Sequence, residues 1–281
     1  ALTAGNAAGA VSFDQLPSLG KPGKIKKRSA IAVPLIDVER IDFKNGVTLF
    51  VSPNPAETGK VYVNVRFGNG MKAIPSDRPT PAWAAGAALV AGGIGPFDQN
   101  ALDRLTSGRK INMGFDIGDD AFQFRAQTRA SDLRDQLRLM AAAITTPRWD
   151  PAPVLRARAS FLTGYDTLNA SPSSVLNRDL GGLLRGGDPR WSTPTREQIS
   201  ALNPKYFRDF WEPLLKTGPI EVMVFGDTTA EDAINAVANS FGALKPRRAV
   251  KVPASQAGSS GPTPTPEPLV RTHKGSKEQA A

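Results

Sequence analysis

Residues 219–244 read PIEVMVFGDTTAEDAINAVANSFGAL, and this stretch decides the fold. Ile220–Phe225 is a mostly apolar run bounded by Gly-Pro before it and Gly-Asp after it, which is typical of a central strand. Ala230–Phe241 has the apolar spacing of a helix, and Gly242 is the residue type that most often ends one. The stretch therefore predicts a buried strand followed by a helix.

Alternation of apolar and polar residues predicts the other strands. Residues 61–67 alternate regularly, so that strand has one buried and one polar face. The Asn-Gly pair at 45–46 precedes the alternating residues 47–51 and predicts a hairpin turn. Residues 111–117 and 122–124 alternate on either side of a Gly-Asp-Asp turn, which predicts a second hairpin. Because hairpins pair strands antiparallel, the sheet is predicted to be mostly antiparallel.

Further helices are predicted from apolar spacing, capping residues and proline in first turns. They cover residues 80–91, 99–106, 131–144, 151–168, 174–184 and 204–215. Strands and helices come in separate runs along the chain. This order predicts an α+β fold, with a mostly antiparallel sheet and helices packed on one face.

Composition divides the chain into four segments. Residues 1–36 are small, polar and basic, and they are interpreted as a linker or extended arm. Residues 37–245 hold the α+β domain. Residues 246–268, built from Pro, Gly, Ser and Thr, are a predicted linker. Residues 269–281 are interpreted as the start of a following domain, with a short strand at Leu269–Thr272.

The charge and cysteine content exclude several classes of function. The net charge is +9, of which residues 1–36 carry +4 and residues 245–281 carry +5, so the domain between them is neutral. A nucleic-acid binder places its basic excess on a folded face, so no nucleic-acid partner is expected. The absence of cysteine excludes disulfides and thiolate chemistry. No apolar run is long enough to span a bilayer, so no transmembrane segment is expected.

Several stretches together resemble the insulinase/pitrilysin-type zinc metallopeptidases, which include mitochondrial processing peptidase. FKNGVTLFVSPN at 43–54 resembles the opening hairpin of one domain of that family. PTREQISAL at 194–202, FWEPLL at 210–215 and the stretch 219–244 resemble the end of the same domain. GKPGKIKKRSAIAVPLIDVERIDFKNGV at 20–47 further resembles the entry to the second half of long bacterial members. The resemblance implies a processing-peptidase-like domain over about residues 37–244.

Active members of that family carry His-x-x-Glu-His on the first helix after the opening strands, and a glutamate further on as third zinc ligand. When WAAGAALVAGGIG at 83–95 is aligned with that helix, Ala84 and Ala88 stand at the histidines and Ala87 at the general base. The third-ligand position falls near Gly164. The resemblance thus implies no catalytic, cofactor-binding or metal-binding residue in this segment, and zinc in a catalytic half. Close packing of an alanine-rich helix on the sheet is the more ordinary explanation for these alanines.

The sequence gives weaker evidence for other catalytic or metal-binding sites. His273 is the one histidine, so no triad and no multi-histidine site can form within the chain, and it is interpreted as an exposed strand end. Asp119 and Asp120 are interpreted as turn residues, and with Asp116 they lack the spacing of an EF-hand.

The glycines at 68–70 and 92–95 lack the Lys-Ser/Thr of a phosphate loop, and those at 92–95 are predicted to end a helix. Trp83, Trp191 and Trp211 are either core anchors or interface residues, and the sequence leaves both open.

Two functions are expected from these observations. By resemblance, the chain is a non-catalytic peptidase domain that encloses a peptide substrate, contributes selectivity and works with a catalytic half or subunit in the periplasm. The alternative is an enzymatically silent scaffold or peptide-binding subunit of the same fold. A third idea, an adaptor that uses the basic tails on nucleic acid or anionic membrane, is the weakest because the charge lies outside the domain.

Overall fold

A seven-stranded sheet runs through the computed structural model, which describes residues 11–252, 261 and 267–278. The strands are β1 (Ile25–Val33), β2 (Ile36–Phe43), β3 (Thr48–Pro53), β4 (Val61–Phe67), β5 (Gly114–Ile117), β6 (Phe122–Thr128) and β7 (Ile220–Gly226). Their order across the sheet is β1-β2-β3-β7-β4-β6-β5. Only the pair β3–β7 is parallel, so the prediction of a mostly antiparallel sheet is confirmed.

Helices cover one face of this sheet, as predicted. The α-helices of the described residues are α1 (Ala85–Ala88), α2 (Gln99–Thr106), α3 (Leu133–Thr145), α4 (Pro151–Gly164), α5 (Pro172–Leu183), α6 (Arg196–Ser200), α7 (Pro204–Leu215) and α8 (Ala230–Ala238). Helix α8 packs on β2 and β3, α3 on β6, and α1 on β5. Within the described chain no helix combines the length and apolarity that crossing a bilayer requires.

The stretch 219–244 forms the predicted strand and helix. β7 lies between β3 and β4 in the middle of the sheet. Gly226 ends it with φ +124°, and an added Cβ would lie 2.3 Å from the Lys60 carbonyl oxygen, so only glycine fits there. The Thr229 hydroxyl accepts a hydrogen bond from the Asp232 N–H and begins α8. The helix ends at Ala238, three residues earlier than predicted.

The interpretation of residues 1–36 as a linker is wrong where the structure describes them beyond residue 10. Phe13 and Leu16 are 7% and 6% exposed and join the core. Residues 25–33 form β1, which Arg28 ties to the domain through Glu39 (Nε to Oε1, 2.6 Å) and Glu231 of α8 (Nη1 to Oε1, 2.5 Å). As an edge strand β1 is mostly exposed on both faces, so it lacks the alternation that predicts a strand. Residues 1–10 lie outside the described residues.

Other predicted elements are also shorter or broken. The helix predicted at 151–168 continues beyond Gly164 only as a 3-10 helix, Tyr165–Asn169. The helix expected at 80–91 consists of a 3-10 turn at Pro81–Ala84, the single turn α1 and a 3-10 turn at Val90–Gly92. Gly93, with φ +82°, ends it, as predicted for these glycines. The glycines inside this stretch, Gly86 and Gly92, lower its helix propensity and favour the breaks. The strand expected at 111–117 begins only at Gly114.

The C-terminal segment contains no strand among its described residues. Leu269–Thr272 was predicted as a strand, and that prediction is wrong: the segment instead lies along α5. The Lys274 N–H donates to the Asn169 carbonyl oxygen at 2.7 Å. Arg271 Nε lies 3.2 Å from Asp179 Oδ2. Most of the predicted linker 246–268 and the last three residues, 279–281, lie outside the described residues.

Candidate functional site

The segment that aligns with the family's zinc helix packs closely on the sheet. Ala84 and Ala88 are 0% and 1% exposed, whereas Ala87 faces solvent. Gly164 is the last residue of α4, and α4 contacts α1. The structure therefore brings the helix carrying Gly164 against the helix carrying the alanines.

These positions do not fit a zinc ion. Methyl groups and a glycine offer none of the nitrogen, sulfur or oxygen donors that zinc requires. Across the described residues, no cluster of three or more His, Cys, Asp or Glu side chains could replace them. No step of metal chemistry is derived for this chain.

A cavity of about 550 Å³ opens beside these helices. Its lining comes from four separate parts of the chain and is largely aromatic and aliphatic. The lining residues are Met71, Trp83, Ser160, Phe161, Gly164, Leu168, Arg190, Trp191, Ser192, Thr193, Pro194 and Ile199. Its size falls within the range of ligand pockets, about 300–1,000 Å³.

One wall of the cavity is aromatic. The rings of Trp83 and Phe161 meet edge to face, with centroids 4.7 Å apart and planes at 62°. Phe161 is 40% exposed although it belongs to α4. Beside it, a Cβ added to Gly164 would meet no atom within 4 Å. The missing side chain at Gly164 therefore leaves room for a guest group.

Arginine–carboxylate pairs neutralise the rim. Arg190 Nη2 lies 2.5 Å from Asp188 Oδ2, and their side chains are only 3% and 10% exposed. Arg190 also donates to the Met71 carbonyl oxygen at 3.2 Å. Burial acts to raise the pKa of Asp188, but hydrogen bonds from the Arg190 guanidinium and backbone N–H outweigh it and hold that pKa below its ordinary value. The pair is thus an ion pair at neutral pH and adds no net charge to the cavity.

The rim at 191–194 is held by neighbouring groups. The Arg185 guanidinium stacks on the Trp191 ring at 4.3 Å and lies 3.6 Å from Asp119 Oδ2. The Thr193 hydroxyl donates to the Arg178 carbonyl oxygen at 2.8 Å. These contacts fix the position of the cavity wall against α5.

The other candidate residues lie elsewhere in ordinary contacts. Asp116, Asp119 and Asp120 pair with three different arginines, Arg125, Arg185 and Arg66, so the structure does not gather them into a calcium site. His273 Nδ1 accepts a hydrogen bond from the Gly275 N–H at 3.1 Å beside α5. Trp211 is fully buried in the core, whereas Trp83 and Trp191 line the cavity.

Sequence reasoning missed the cavity itself. Phe161, Leu168 and Arg190 were not singled out, because nothing in their local pattern marks them as neighbours of Trp83. One signal was present: Phe161 is a large aromatic residue on the exposed side of a predicted helix.

No family model matches the chain. The chloroplastic stromal processing peptidase of Pisum sativum is 21% identical over 208 residues, which are 73% of this chain and 16% of that protein. Many solved structures are similar over most of the chain, among them the following three. The ferredoxin protease FusC in complex with Arabidopsis ferredoxin has a TM-score of 0.65 and 17% identity, covering 84% of this chain. The periplasmic protease PqqL from Escherichia coli has a TM-score of 0.67 and 13% identity, covering 89%. Pitrilysin has a TM-score of 0.60 and 12% identity, covering 84%.

The chain has the fold of the insulinase/pitrilysin-type peptidases. It spans 26% of the FusC and PqqL chains and 27% of the pitrilysin chain, so this peptidase fold is one part of each of those longer proteins. At identities of 12–17% the likeness establishes the fold and not the reaction. The first half of PqqL alone also matches, with a TM-score of 0.60 over 84% of this chain.

Proposed function

We propose that this chain is a non-catalytic domain of an insulinase/pitrilysin-type zinc peptidase. The observation that carries the proposal is the set Ala84, Ala87, Ala88 and Gly164, which has no metal-binding atom in the place of the family's zinc ligands and general base. Peptide hydrolysis is then done by another domain or subunit that holds the zinc.

The role proposed for this domain is to form part of the wall around the peptide substrate. The cavity at Trp83 and Gly164 supports this role, because Gly164, which aligns near the third zinc-ligand position, is one of its lining residues. A domain that keeps a cavity there without the ligands can bind a peptide without cleaving it, and its contribution is to substrate selectivity.

The proposed partner is the catalytic half or subunit of the same peptidase, and the proposed location is the periplasm. PqqL, one of the similar structures, is a periplasmic protease, whereas the Pisum relative is chloroplastic. The proposed periplasmic location therefore depends on the structural similarity to the bacterial protease PqqL.

Metal analysis and a peptidase assay test the proposal. The purified chain is expected to hold no stoichiometric zinc after dialysis against zinc, and to cleave no unfolded peptide substrate. Pitrilysin, treated in parallel, is the positive control. Stoichiometric zinc together with chelator-sensitive hydrolysis by this chain alone would overturn the proposal.

A second candidate, a silent scaffold subunit, is favoured by the sheet face that the helices leave open. Phe50, Tyr62, Met223 and Phe225 lie together on that face around a cavity of about 340 Å³, whose lining consists only of strand residues. Leu35 is fully exposed at the tip of the β1–β2 hairpin. A scaffold would form a stoichiometric complex with its partner through these residues and leave the partner's peptide cleavage unchanged. A non-catalytic peptidase domain would instead change which peptides the partner cleaves.

A further inference from the structure

The cavity beside Trp83 has the chemistry of a pocket for an uncharged group. Its walls are Trp83, Phe161, Leu168 and Trp191, and its buried charges, Arg190 and Asp188, already pair with each other. A charged guest would lose its hydration without gaining a counter-ion, which costs several kcal/mol. An apolar guest loses no such hydration and gains contact with the rings.

The volume suits a large side chain. A dry apolar cavity of about 150 Å³ holds benzene, so a cavity of about 550 Å³ holds an aromatic side chain and part of its backbone. The edge-to-face pair of Trp83 and Phe161 can accept a third ring in the same geometry. At Gly164 no side chain occupies the cavity, and an added Cβ would meet no atom within 4 Å.

One backbone donor at the rim can hold an extended chain. Among the described residues, the Thr193 N–H donates to no other group, while the hydroxyl of the same residue is fixed on Arg178. The neighbouring Ser192 and Thr195 N–H groups already donate to Pro189 and Gln198, and Pro194 has no N–H, so Thr193 carries the unpaired backbone donor of residues 192–195. A peptide carbonyl can accept from it, as in backbone recognition of extended peptides.

We propose that this cavity is a subsite for one large uncharged side chain, preferably aromatic, of an extended peptide whose backbone carbonyl accepts from the Thr193 N–H. The inference rests on the proposed function, because it names the part of the peptide that this domain would select. The cavity selects by size and lack of charge, and it holds the peptide away from any zinc-binding group.

Calorimetric titration of the full chain with capped pentapeptides tests the subsite. The probes are acetyl-Ala-Ala-Xaa-Ala-Ala-amide peptides in which Xaa is Phe, Leu, Ala, Asp or Lys. Burial of an aromatic ring contributes about 1.5–3 kcal/mol, so the Phe peptide is expected to bind about 10- to 100-fold tighter than the Ala peptide. The Asp and Lys peptides are expected to bind no better than the Ala peptide.

A matched pair of glycine substitutions locates the binding. Gly164→Leu places a side chain at the cavity wall, and its backbone cost is low because Gly164 is helical and its Cβ position is open. Gly86→Leu is the control, because Gly86 also has open space but is exposed on α1 outside the cavity. Gly164→Leu is expected to remove the preference for Phe over Ala, whereas Gly86→Leu keeps it.

Three results would overturn the subsite. They are equal affinity for all five peptides, a Phe preference that survives Gly164→Leu, and a dimer in solution whose contact occupies the cavity. Each leaves the proposed function standing if the chain still binds no zinc. Conversely, stoichiometric zinc with an intact Phe preference would overturn the proposed function and keep the subsite.

Discussion

The two faces of the sheet are made from alternate residues of the same strands, yet only one of them is covered. On the face under the helices the following residues of β3, β4 and β7 are at most 2% exposed: Leu49, Val51, Val61, Val63, Val65, Val222 and Val224. On the outer face the neighbouring residues are half-buried or exposed; they include Phe50, Tyr62, Met223 and Phe225. The covered face is almost entirely apolar, whereas the outer face mixes these apolar side chains with polar ones such as Asn64, Arg66 and Glu221. The alternation of residue types therefore marks the core face, but it leaves an apolar patch on the other face.

The outer face is stabilised by contacts within its own layer. Tyr62 and Phe225 stack with centroids 6.0 Å apart, and the Arg40 guanidinium lies 5.8 Å from the centre of the Phe50 ring. Asn64 Oδ1 is buried there without a hydrogen-bond partner among the described residues. The covered face contributes to stability through close packing, whereas the outer face keeps surface available for contact with another molecule.

Substitution of adjacent residues on β3 should give the largest difference between the faces. Leu49→Ala leaves a cavity in the closed core and is expected to lower the free energy of unfolding by about 2–5 kcal/mol. Phe50→Ala removes a larger side chain from the open face and is expected to cost about 1 kcal/mol or less, because solvent already reaches it. Urea unfolding measures the free energy of unfolding of both variants. An equal decrease in the two would contradict the distinction between the covered and the outer face.

A buried carboxylate at the start of α3 should contribute more to stability than an exposed one on the outer side. Asp132 is 3% exposed, and it accepts from Arg109 Nε and from the Lys110 N–H, both at 2.9 Å. Asp132→Asn is expected to cost about 1–3 kcal/mol, because it weakens two hydrogen bonds to a buried group. Asp120→Asn, at an exposed ion pair with Arg66, is the control and is expected to cost less than about 0.5 kcal/mol.

Protonation of Asp132 should lower the free energy of unfolding at acidic pH. Burial acts to raise the pKa of Asp132, but hydrogen bonds from the Lys110 N–H and Arg109 outweigh it and lower that pKa below its ordinary value. Its stabilising contribution is therefore present at neutral pH and is lost as the pH falls below about 4 and through the lowered value. Stability measured against pH should fall less steeply there in Asp132→Asn, and an unchanged slope would show that Asp132 is not responsible.

The smallest expected effect is at the hairpin tip, and it has the opposite sign. Leu35 has φ +68° and an exposed side chain, so it bears left-handed strain without packing in return. Leu35→Gly is expected to raise the free energy of unfolding by about 0.5–1 kcal/mol, and Leu35→Asn by less, since asparagine tolerates this conformation. Thermal unfolding of both variants checks the order, and destabilisation by Leu35→Gly would mean that the leucine has a packing partner.

Regular local patterns predicted the parts of the fold with the strongest periodicity. The alternation in Val61–Phe67 and the apolar run before α8 gave correct strands, because burial on one or both faces leaves a direct pattern in the residues. Strand β1 was missed since an edge strand exposed on both faces needs no such pattern. Its place is set by antiparallel pairing with β2, and the exposed ion pair between Arg28 and Glu231, 203 residues away in the chain, adds little.

For the candidate site too, some features follow from the sequence and others only from the tertiary structure. The sequence by itself determined that Ala84, Ala87, Ala88 and Gly164 lack zinc-binding atoms, because that property belongs to the residue types. Only the tertiary structure decided that Trp83, Phe161 and Thr193 surround one cavity, and that no helix covers the apolar patch around Phe50. Those outcomes depend on how helices far apart in the chain pack on one face of the sheet, and local periodicity does not contain that information.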